Sequence, residues 1–420
     1  MIKVLTVYFF AALFFSAPAK ANPYGTEKCP HMTVYDYASS MCMPYAMEGM
    51  PMKMFMLSGN VFLNESVTGG TRGRSALYST SMIMADAGTN VGSNHYLNVD
   101  LMLTAEKWTV PERGYPLISQ IGERDSNGVL YLDAQHPHSS PIMGLTFNDT
   151  LNLFHAGDYV KVFFAPRGES TDGPIAFMHR PTGMVNPDAP LGHHVGQDVG
   201  HISSTVIGTS LKVGETRFEV SGFHGQEPKP ESVDLPLGTP NSLALRLIEE
   251  FSPNLSAMIS GAYLKDPEST GNPHAFQARY SASVYQGMPL FGDWSFQNAL
   301  ISGVAQKYDE AEILFSFSEE FLVKRNLDQI WGRIEVLERT PDEVQISSAT
   351  PHQGKYVGAI TLGYSRQLSK LDVFPLYLGT SVTENLMPSE FKSAYGGNPW
   401  AAKVFLQLGG MKMVHIMSKE

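Results

Sequence analysis

Histidine is concentrated in two long segments of the sequence, where its imidazole side chain could bind a metal ion. The first segment, 108–139, contains Gln135-His136-Pro137-His138, and the second, 167–200, contains His179 and the pair His193-His194. Imidazole is a common ligand of zinc, copper and nickel, and a nearby carboxylate can complete such a site. The candidate metal ligands are His136, His138, His179, His193, His194, Asp198 and His201.

A structural role is the alternative for the same histidines. Imidazole pairs readily with carbonyl and carboxylate groups without any metal, so these residues could simply hold the two segments folded. No spacing within the set is diagnostic of one metal. The sequence therefore leaves copper, zinc and a purely structural network open.

Methionine is concentrated between residues 31 and 56, near the start of the chain. Thioethers are soft ligands that favour Cu(I), and Met47, Met50 and Met52 are the candidates in this arm. Methionine also fills gaps in apolar surfaces, which is the alternative. Cys29 and Cys42 are the two cysteines of the chain, and an exported pair so close in sequence predicts a disulfide. A Cys-Met copper site is the other reading.

Catalytic motifs were sought and none stands out. The sequence has no Gly-x-Ser-x-Gly elbow and no His-Glu-x-x-His pair. We therefore expect no catalytic residues, no organic cofactor and no enzymatic activity.

The first 21 residues read as a signal peptide. Lys3 is followed by the apolar run Val4–Phe15 and by the small-residue exit Ala19-Lys20-Ala21, which predicts cleavage before Asn22. The mature chain is then exported from the cytoplasm.

Alternation of apolar and polar residues dominates the rest of the chain, as in the apolar, polar, apolar order of 276–284 and 97–104. No later stretch has the roughly 18 to 20 apolar residues of a membrane helix. A closed sheet is the other backbone arrangement that crosses a bilayer, and period-2 segments of this length predict one. The predicted strands are 52–63, 74–87, 94–107, 140–152, 157–166, 201–212, 215–224, 241–252, 255–265, 274–287, 292–305, 311–322, 325–339, 355–367, 371–382 and 398–409.

Long and short connections alternate between these sixteen strands. Outer-membrane barrels have long extracellular loops and short periplasmic turns, which places both chain ends in the periplasm. We therefore predict an all-β transmembrane antiparallel barrel of about 16 strands, with four parts. These are a signal peptide at 1–21, a periplasmic Met-rich arm at 22–50, the barrel at 51–409 and a tail at 410–420.

Composition agrees with a barrel. The charged fraction is 17%, the net charge is -11, and the chain is rich in glycine and aromatic residues, as turns and aromatic girdles require. An acidic chain is a poor partner for nucleic acid and a better one for cations.

Several motifs of the loops and strands are distinctive. They are Met54–Leu63, Thr109-Val110-Pro111, Gly114-Tyr115-Pro116-Leu117, Gln120-Ile121-Gly122-Glu123, Gln135-His136-Pro137-His138, Ala176-Phe177-Met178-His179-Arg180-Pro181, Ala189-Pro190-Leu191-Gly192-His193-His194, Phe223-His224-Gly225-Gln226-Glu227-Pro228 and Tyr395-Gly396-Gly397-Asn398-Pro399. In these motifs the chain, from about Met50 to Leu408, resembles an uncharacterised proteobacterial outer-membrane β-barrel family often associated with copper and heavy-metal resistance systems. It departs from that family at Ser139, where an acid is usual, and in running on past Leu408. The resemblance implies fold and location.

Two classes of function follow. One is a channel or transport-related protein of the outer membrane, possibly in metal (copper) handling, whose partners are outer-membrane lipid, a small solute or metal ion, and the barrel-assembly machinery. The other is a structural or adhesive barrel whose loops plug the lumen.

Overall fold

The computed structural model describes residues 33–36, 41–44, 52–153, 157–197, 199–252, 254–267, 272, 275–308 and 311–417. The predicted signal peptide, Cys29, Met47, Met50 and Asp198 lie outside the described residues. Met52 and Cys42 are described by their backbone alone. The predicted disulfide and the predicted metal ligands of the arm therefore stay predictions.

Twenty strands make up almost all of the regular structure. They are β1 Thr33–Asp36, β2 Met41–Pro44, β3 Met52–Thr68, β4 Ser75–Val91, β5 His95–Leu103, β6 Tyr115–Arg124, β7 Leu130–Gln135, β8 Ile142–Asn152, β9 Tyr159–Gly168, β10 Ser203–Val213, β11 Thr216–His224, β12 Ser242–Ser252, β13 Leu255–Lys265, β14 Phe276–Pro289, β15 Trp294–Lys307, β16 Glu312–Arg325, β17 Asp328–Arg339, β18 Lys355–Leu371, β19 Phe374–Leu386 and β20 Trp400–Met417. Sixteen of them close into one barrel, while β1–β2 and β6–β7 form separate hairpins. Every neighbouring pair in the barrel is antiparallel, and β20 closes it against β3. The predicted fold is confirmed.

The last strand is longer than the sequence pattern predicts. β20 runs to Met417 and stays in register with β3 until Met417 faces Met52. The barrel therefore extends to Met417, so the predicted barrel end at 409 and the predicted start of the tail at 410 are both too early. The reason is that β3 begins at Met52, so its backbone groups need a partner along their whole length.

Each barrel strand has an apolar outer face and a covered inner face. On β12 the outward side chains of Leu243, Leu245 and Leu247 are 50%, 44% and 39% exposed, whereas Ala244 and Ile248 between and beyond them are buried. Such an outer band suits contact with lipid, and closure leaves no free sheet edge inside the bilayer. Among the described residues, no helix is both long and apolar enough to span a membrane.

Two long connections fold into the lumen. The first, 104–141, contains a short helix at Glu106–Thr109 and the β6–β7 hairpin. The second, 169–202, contains a 3₁₀ turn at Phe177–His179 and a short helix at Pro181–Met184, and nearly all of its described side chains are buried. We call 169–202 the plug loop.

Buried ion pairs fasten the plug loop to the inner wall of the barrel. Arg180 Nε and Nη2 donate to the two carboxylate oxygens of Glu320 on β16 at 3.0 and 2.6 Å, and Thr182 Oγ1 donates to Glu320 at 2.7 Å. Lys403 of β20 pairs with Asp188 of the loop. These charged groups lie in a barrel interior that water barely reaches, so each pair is a strong positional constraint.

Candidate functional site

Five of the predicted histidine ligands come together between the two infolded loops. His136 and His138 come from the segment after β7, His193 and His194 from the plug loop, and His201 from a 3₁₀ turn at Val199–His201. Ring centroids are 4.7 Å apart for His193 and His194, 4.9 Å for His193 and His201, 5.3 Å for His138 and His201, 5.4 Å for His136 and His138, and 5.7 Å for His136 and His194. We call these five residues the histidine cluster.

His179 takes a different environment from the one predicted. It ends the turn Phe177–His179, and it is the ring of Phe177 that packs on the histidine cluster, 6.4 Å from both His193 and His201. Burial lowers the pKa of His179, with opposing contributions from Glu169 and Arg180. Because Asp198 lies outside the described residues, no statement about it as a ligand follows.

Carboxylates orient part of the histidine cluster. Glu106 Oε2 accepts from the backbone N of His138 at 2.8 Å and lies 3.2 Å from its Nδ1. Glu227 Oε2 lies 3.9 Å from Nδ1 of His194. By contrast, neither ring nitrogen of His136 has a hydrogen-bond partner among the described residues, and the same holds for Nδ1 of His193. Orphan buried nitrogens are rare and need an explanation.

Burial keeps three of the imidazoles, those of His136, His193 and His194, neutral. Desolvation, with the neighbouring His138, lowers the pKa of His136 to about 3. Desolvation and the surrounding imidazoles hold the pKa of His193 well below its usual range, and the pKa of His194 is lowered in the same way, with Arg279 contributing. A neutral imidazole keeps a lone pair that can bind a metal ion, whereas imidazolium cannot.

The histidine cluster lies between two cavities of the lumen. One reaches Lys229 and Ser232 in the connection after β11. The other is lined by Asn60 of β3 and lies toward the middle of the barrel wall. His136, His138 and Met143 line both cavities. A small solute that passed from one cavity to the other would therefore contact these imidazoles.

The side chains are close together but are not arranged around a common point. Among the residues that the structure describes, no three His, Cys, Asp or Glu side chains form a ready set of metal ligands. The geometry brings imidazoles together beside two cavities without forming a ready metal site.

Acid should destabilise this packing. The unfolded chain binds a proton at His136 below about pH 6.5, but the folded chain does so only near pH 3. The free energy of unfolding is therefore highest above pH 6.5, where this imidazole is neutral in both states. It falls as the pH drops, by about 2 kcal/mol at pH 5. We expect the barrel to unfold at a lower temperature at pH 5 than at pH 7.5. Unfolding is followed by the heat-induced change in gel mobility, and a chelator is present so that metal binding does not contribute.

The matched variants for this pH experiment are His136→Gln and His95→Gln. His95 is exposed at the other end of the barrel beside Asp149. His136→Gln should reduce the drop without abolishing it, because the buried His193 and His194, whose pKa values are also lowered, still contribute. His95→Gln should leave the drop as in wild type. An equal drop in all three proteins would contradict the assignment to His136.

No family model matches the sequence, and no curated protein matches it. Solved structures do match. They include OmpF of Salmonella typhi in complex with daunomycin, at a TM-score of 0.53 and 9% identity over 85% of this chain and 97% of that one. OprB of Pseudomonas putida matches at 0.52 and 11%, over 86% and 94%. An anion-selective porin from Comamonas acidovorans matches at 0.50 and 12%, over 86% and 99%.

The fold is that of an outer-membrane porin-type barrel. The predicted location in the outer membrane is confirmed by the closed sixteen-stranded barrel and by the neighbours that share it. At 9 to 12% identity the likeness concerns the fold alone. None of these neighbours supports the association with copper and heavy-metal resistance that the sequence resemblance implied.

The expectation that the protein is not an enzyme has to be corrected. The missing motifs were read as excluding catalysis, but barrels of this fold are not restricted to one activity, and fold does not decide function. The exclusion therefore does not stand.

Glu106 is a site residue that the sequence pattern missed. It was placed inside a predicted strand at 94–107, whereas β5 ends at Leu103 and Glu106 begins a short helix. The buried carboxylate then turns back to His138. A charged residue at the end of an apolar run was the available signal.

Proposed function

We propose that the protein is an outer-membrane channel with a lumen narrowed by the plug loop, and that metal ions, copper or zinc, are among the solutes it binds. One matching structure is an anion-selective porin, which supports passage of small solutes by this fold. The net charge of -11 favours cations over anions here.

The observation that carries the metal proposal is the state of His136 and His193. Both are buried, both are held neutral, and together they have three ring nitrogens without a hydrogen-bond partner among the described residues. A buried polar nitrogen without a partner costs about 1–3 kcal/mol. Binding a cation at the wall between the two cavities would recover that cost.

A closed structural barrel is the second candidate, and the ion pairs of the plug loop favour it. Arg339 on β17 donates to the carbonyl oxygen of Leu191 at 2.8 Å and to that of Ser119 at 3.0 Å, so both infolded loops are tied to the same wall residue. A permanently filled lumen would pass no ions.

Conductance and binding separate the two candidates. We expect the full chain, refolded into a planar bilayer, to pass small cations with low conductance, and zinc(II) or copper(II) to reduce that current by binding. The variant His136→Gln/His193→Gln should lose the metal effect, whereas His95→Gln should keep it. A barrel that is correctly folded but passes no ions would overturn the channel, and equal metal effects in all three proteins would overturn the histidine assignment.

A further inference from the structure

Methionine side chains form a second cluster directly beside the histidine cluster. Met82 of β4, Met102 of β5, Met143 of β8 and Met178 of the plug loop are 2 to 8% exposed and pack together. Met84 is partly buried against them. Four separate parts of the chain thus bring thioethers to one place, which we call the methionine cluster.

Both clusters line the cavity that contains Asn60, which we call the deep cavity. Met82, Met143 and Met178 line this cavity together with His136 and His138. Met143 also lines the other cavity, the one that reaches Lys229 and Ser232. A ligand in this cavity would therefore meet sulfur and imidazole nitrogen together, including the ring of His136, whose nitrogens have no partner among the described residues.

Strand register continues this wall toward the short-turn end of the barrel. Met84 faces Met102 across β4 and β5, and two residues further on Asp86 faces Asp100. Asn98 donates to both carboxyl groups, at 2.8 and 3.1 Å. The wall below the methionine cluster is thus polar.

The ligand types identify the class of ion. Thioether and neutral imidazole are ligands that suit a soft monovalent ion such as Cu(I), whereas Mg²⁺ and Ca²⁺ require oxygen. Zinc is bound by imidazole, thiolate and carboxylate and gains little from thioether. Apolar packing alone would be served equally by leucine, whose rotamers are better defined than those of methionine.

We propose that Met82, Met143 and Met178, with His136 and His138, form a binding site for a soft monovalent cation, Cu(I) or Ag(I), in the deep cavity of the lumen. This inference rests on the proposed channel function and specifies the ion that its narrow passage selects.

Silver(I) is the probe, because it shares the ligand preference of Cu(I) and does not oxidise in air. The full chain is used with Met32, Met41, Met43, Met47 and Met50 replaced by Leu and with Cys29→Ser and Cys42→Ser, so that the arm at 22–50 contributes no sulfur of its own. Titration in chloride-free nitrate buffer should show one tight Ag(I) per chain. The variant Met82→Leu/Met143→Leu/Met178→Leu should weaken that binding by about 10- to 100-fold or more, as loss of ligands does.

The matched control replaces two buried methionines elsewhere. Met258 lies on β13 with Ile248, and Met387 packs near Phe391, so Met258→Leu/Met387→Leu should bind Ag(I) as the parent does. Leucine nearly conserves volume, so folding should persist. If the triple variant does not fold, Met143→Leu alone, which lies between the cavities, should still weaken binding.

Zinc(II) titration distinguishes the two levels of the proposal. Zinc bound by the imidazoles should be unaffected in the triple methionine variant. If Ag(I) binds the triple variant as tightly as the parent while zinc still binds both, the soft-cation site is wrong and the proposed function stands. If neither ion binds and no ion passes, the proposed function itself fails.

Discussion

Glu320→Gln is expected to release the plug loop and to raise the ion conductance of the barrel. Glu320 is fully buried and is held by Arg180 and Thr182 of the loop and by Arg333 of the wall, whose Nε is 3.2 Å away. Neutralising it leaves Arg180 buried without its counter-charge and leaves Arg333 with only the more distant carboxyl group of Glu335, 3.9 Å away. Removing one partner from such a group costs about 3–5 kcal/mol.

The barrel itself should survive this change, because strand pairing on β16 is made by the backbone. Loop release should then appear as new protease cleavage within 169–202 and as larger single-channel currents. The matched control is Glu319→Gln, the adjacent residue on the same strand, whose carboxylate accepts from Asn298 of β15 rather than from the plug loop. Wild-type cleavage and currents in Glu320→Gln would show that other contacts hold the loop.

Excising the plug loop is expected to have the largest effect on conductance. The backbone N of Ser170 donates to the carbonyl oxygen of Gly200 at 2.9 Å, so the two ends of the loop already meet. Replacing 171–199 with a short Gly-Ser linker should therefore preserve the strands β9 and β10 on either side. Barrels of about 16 strands leave an aqueous channel when loops do not fill them, so the current should rise to that of an open pore.

The same excision removes His193 and His194, so metal ions should no longer reduce the current. The control is a barrel in which the exposed tip 125–129 of the β6–β7 hairpin is replaced by the same linker; its conductance should be that of wild type. If excision leaves the conductance unchanged, the lumen is closed by the segment 104–141 and the plug loop is not the barrier.

The fold was predictable because a barrel exterior in lipid imposes a strict two-residue period. The sixteen strands and the alternation of their connections follow from that period and are confirmed. Two residues, Met102 and Leu314, depart from that period, because each is apolar on an inner face. In the structure Met102 packs on Met178, and Leu314 packs with Leu191 and Val195 of the plug loop.

These two exceptions mark where infolded loops replace water against the barrel wall. The alternating pattern predicts an apolar outer face and a polar inner face on each strand. It does not predict a second apolar surface inside the lumen. His136, His193 and His201 are brought together by loops whose sequences have no regular period. The hydrogen bonds and ion pairs that hold these loops join residues far apart in sequence. For this reason the ligand types were predictable and their grouping was not.

The closure of the barrel sets its folding problem. The hydrogen bond from Gln407 to Asn60 spans 347 positions, and the pairing of β20 with β3 joins the two ends of the barrel segment along its full height. Contacts of such long range form slowly, because the intervening chain must lose conformational entropy before the contacts stabilise the fold. Until they form, β3 and β20 are unpaired edges, open to any other extended chain. A product truncated before Trp400 would lack β20 and would leave β3 and β19 as permanent edges, so it should aggregate or be degraded rather than persist as a fifteen-stranded pore.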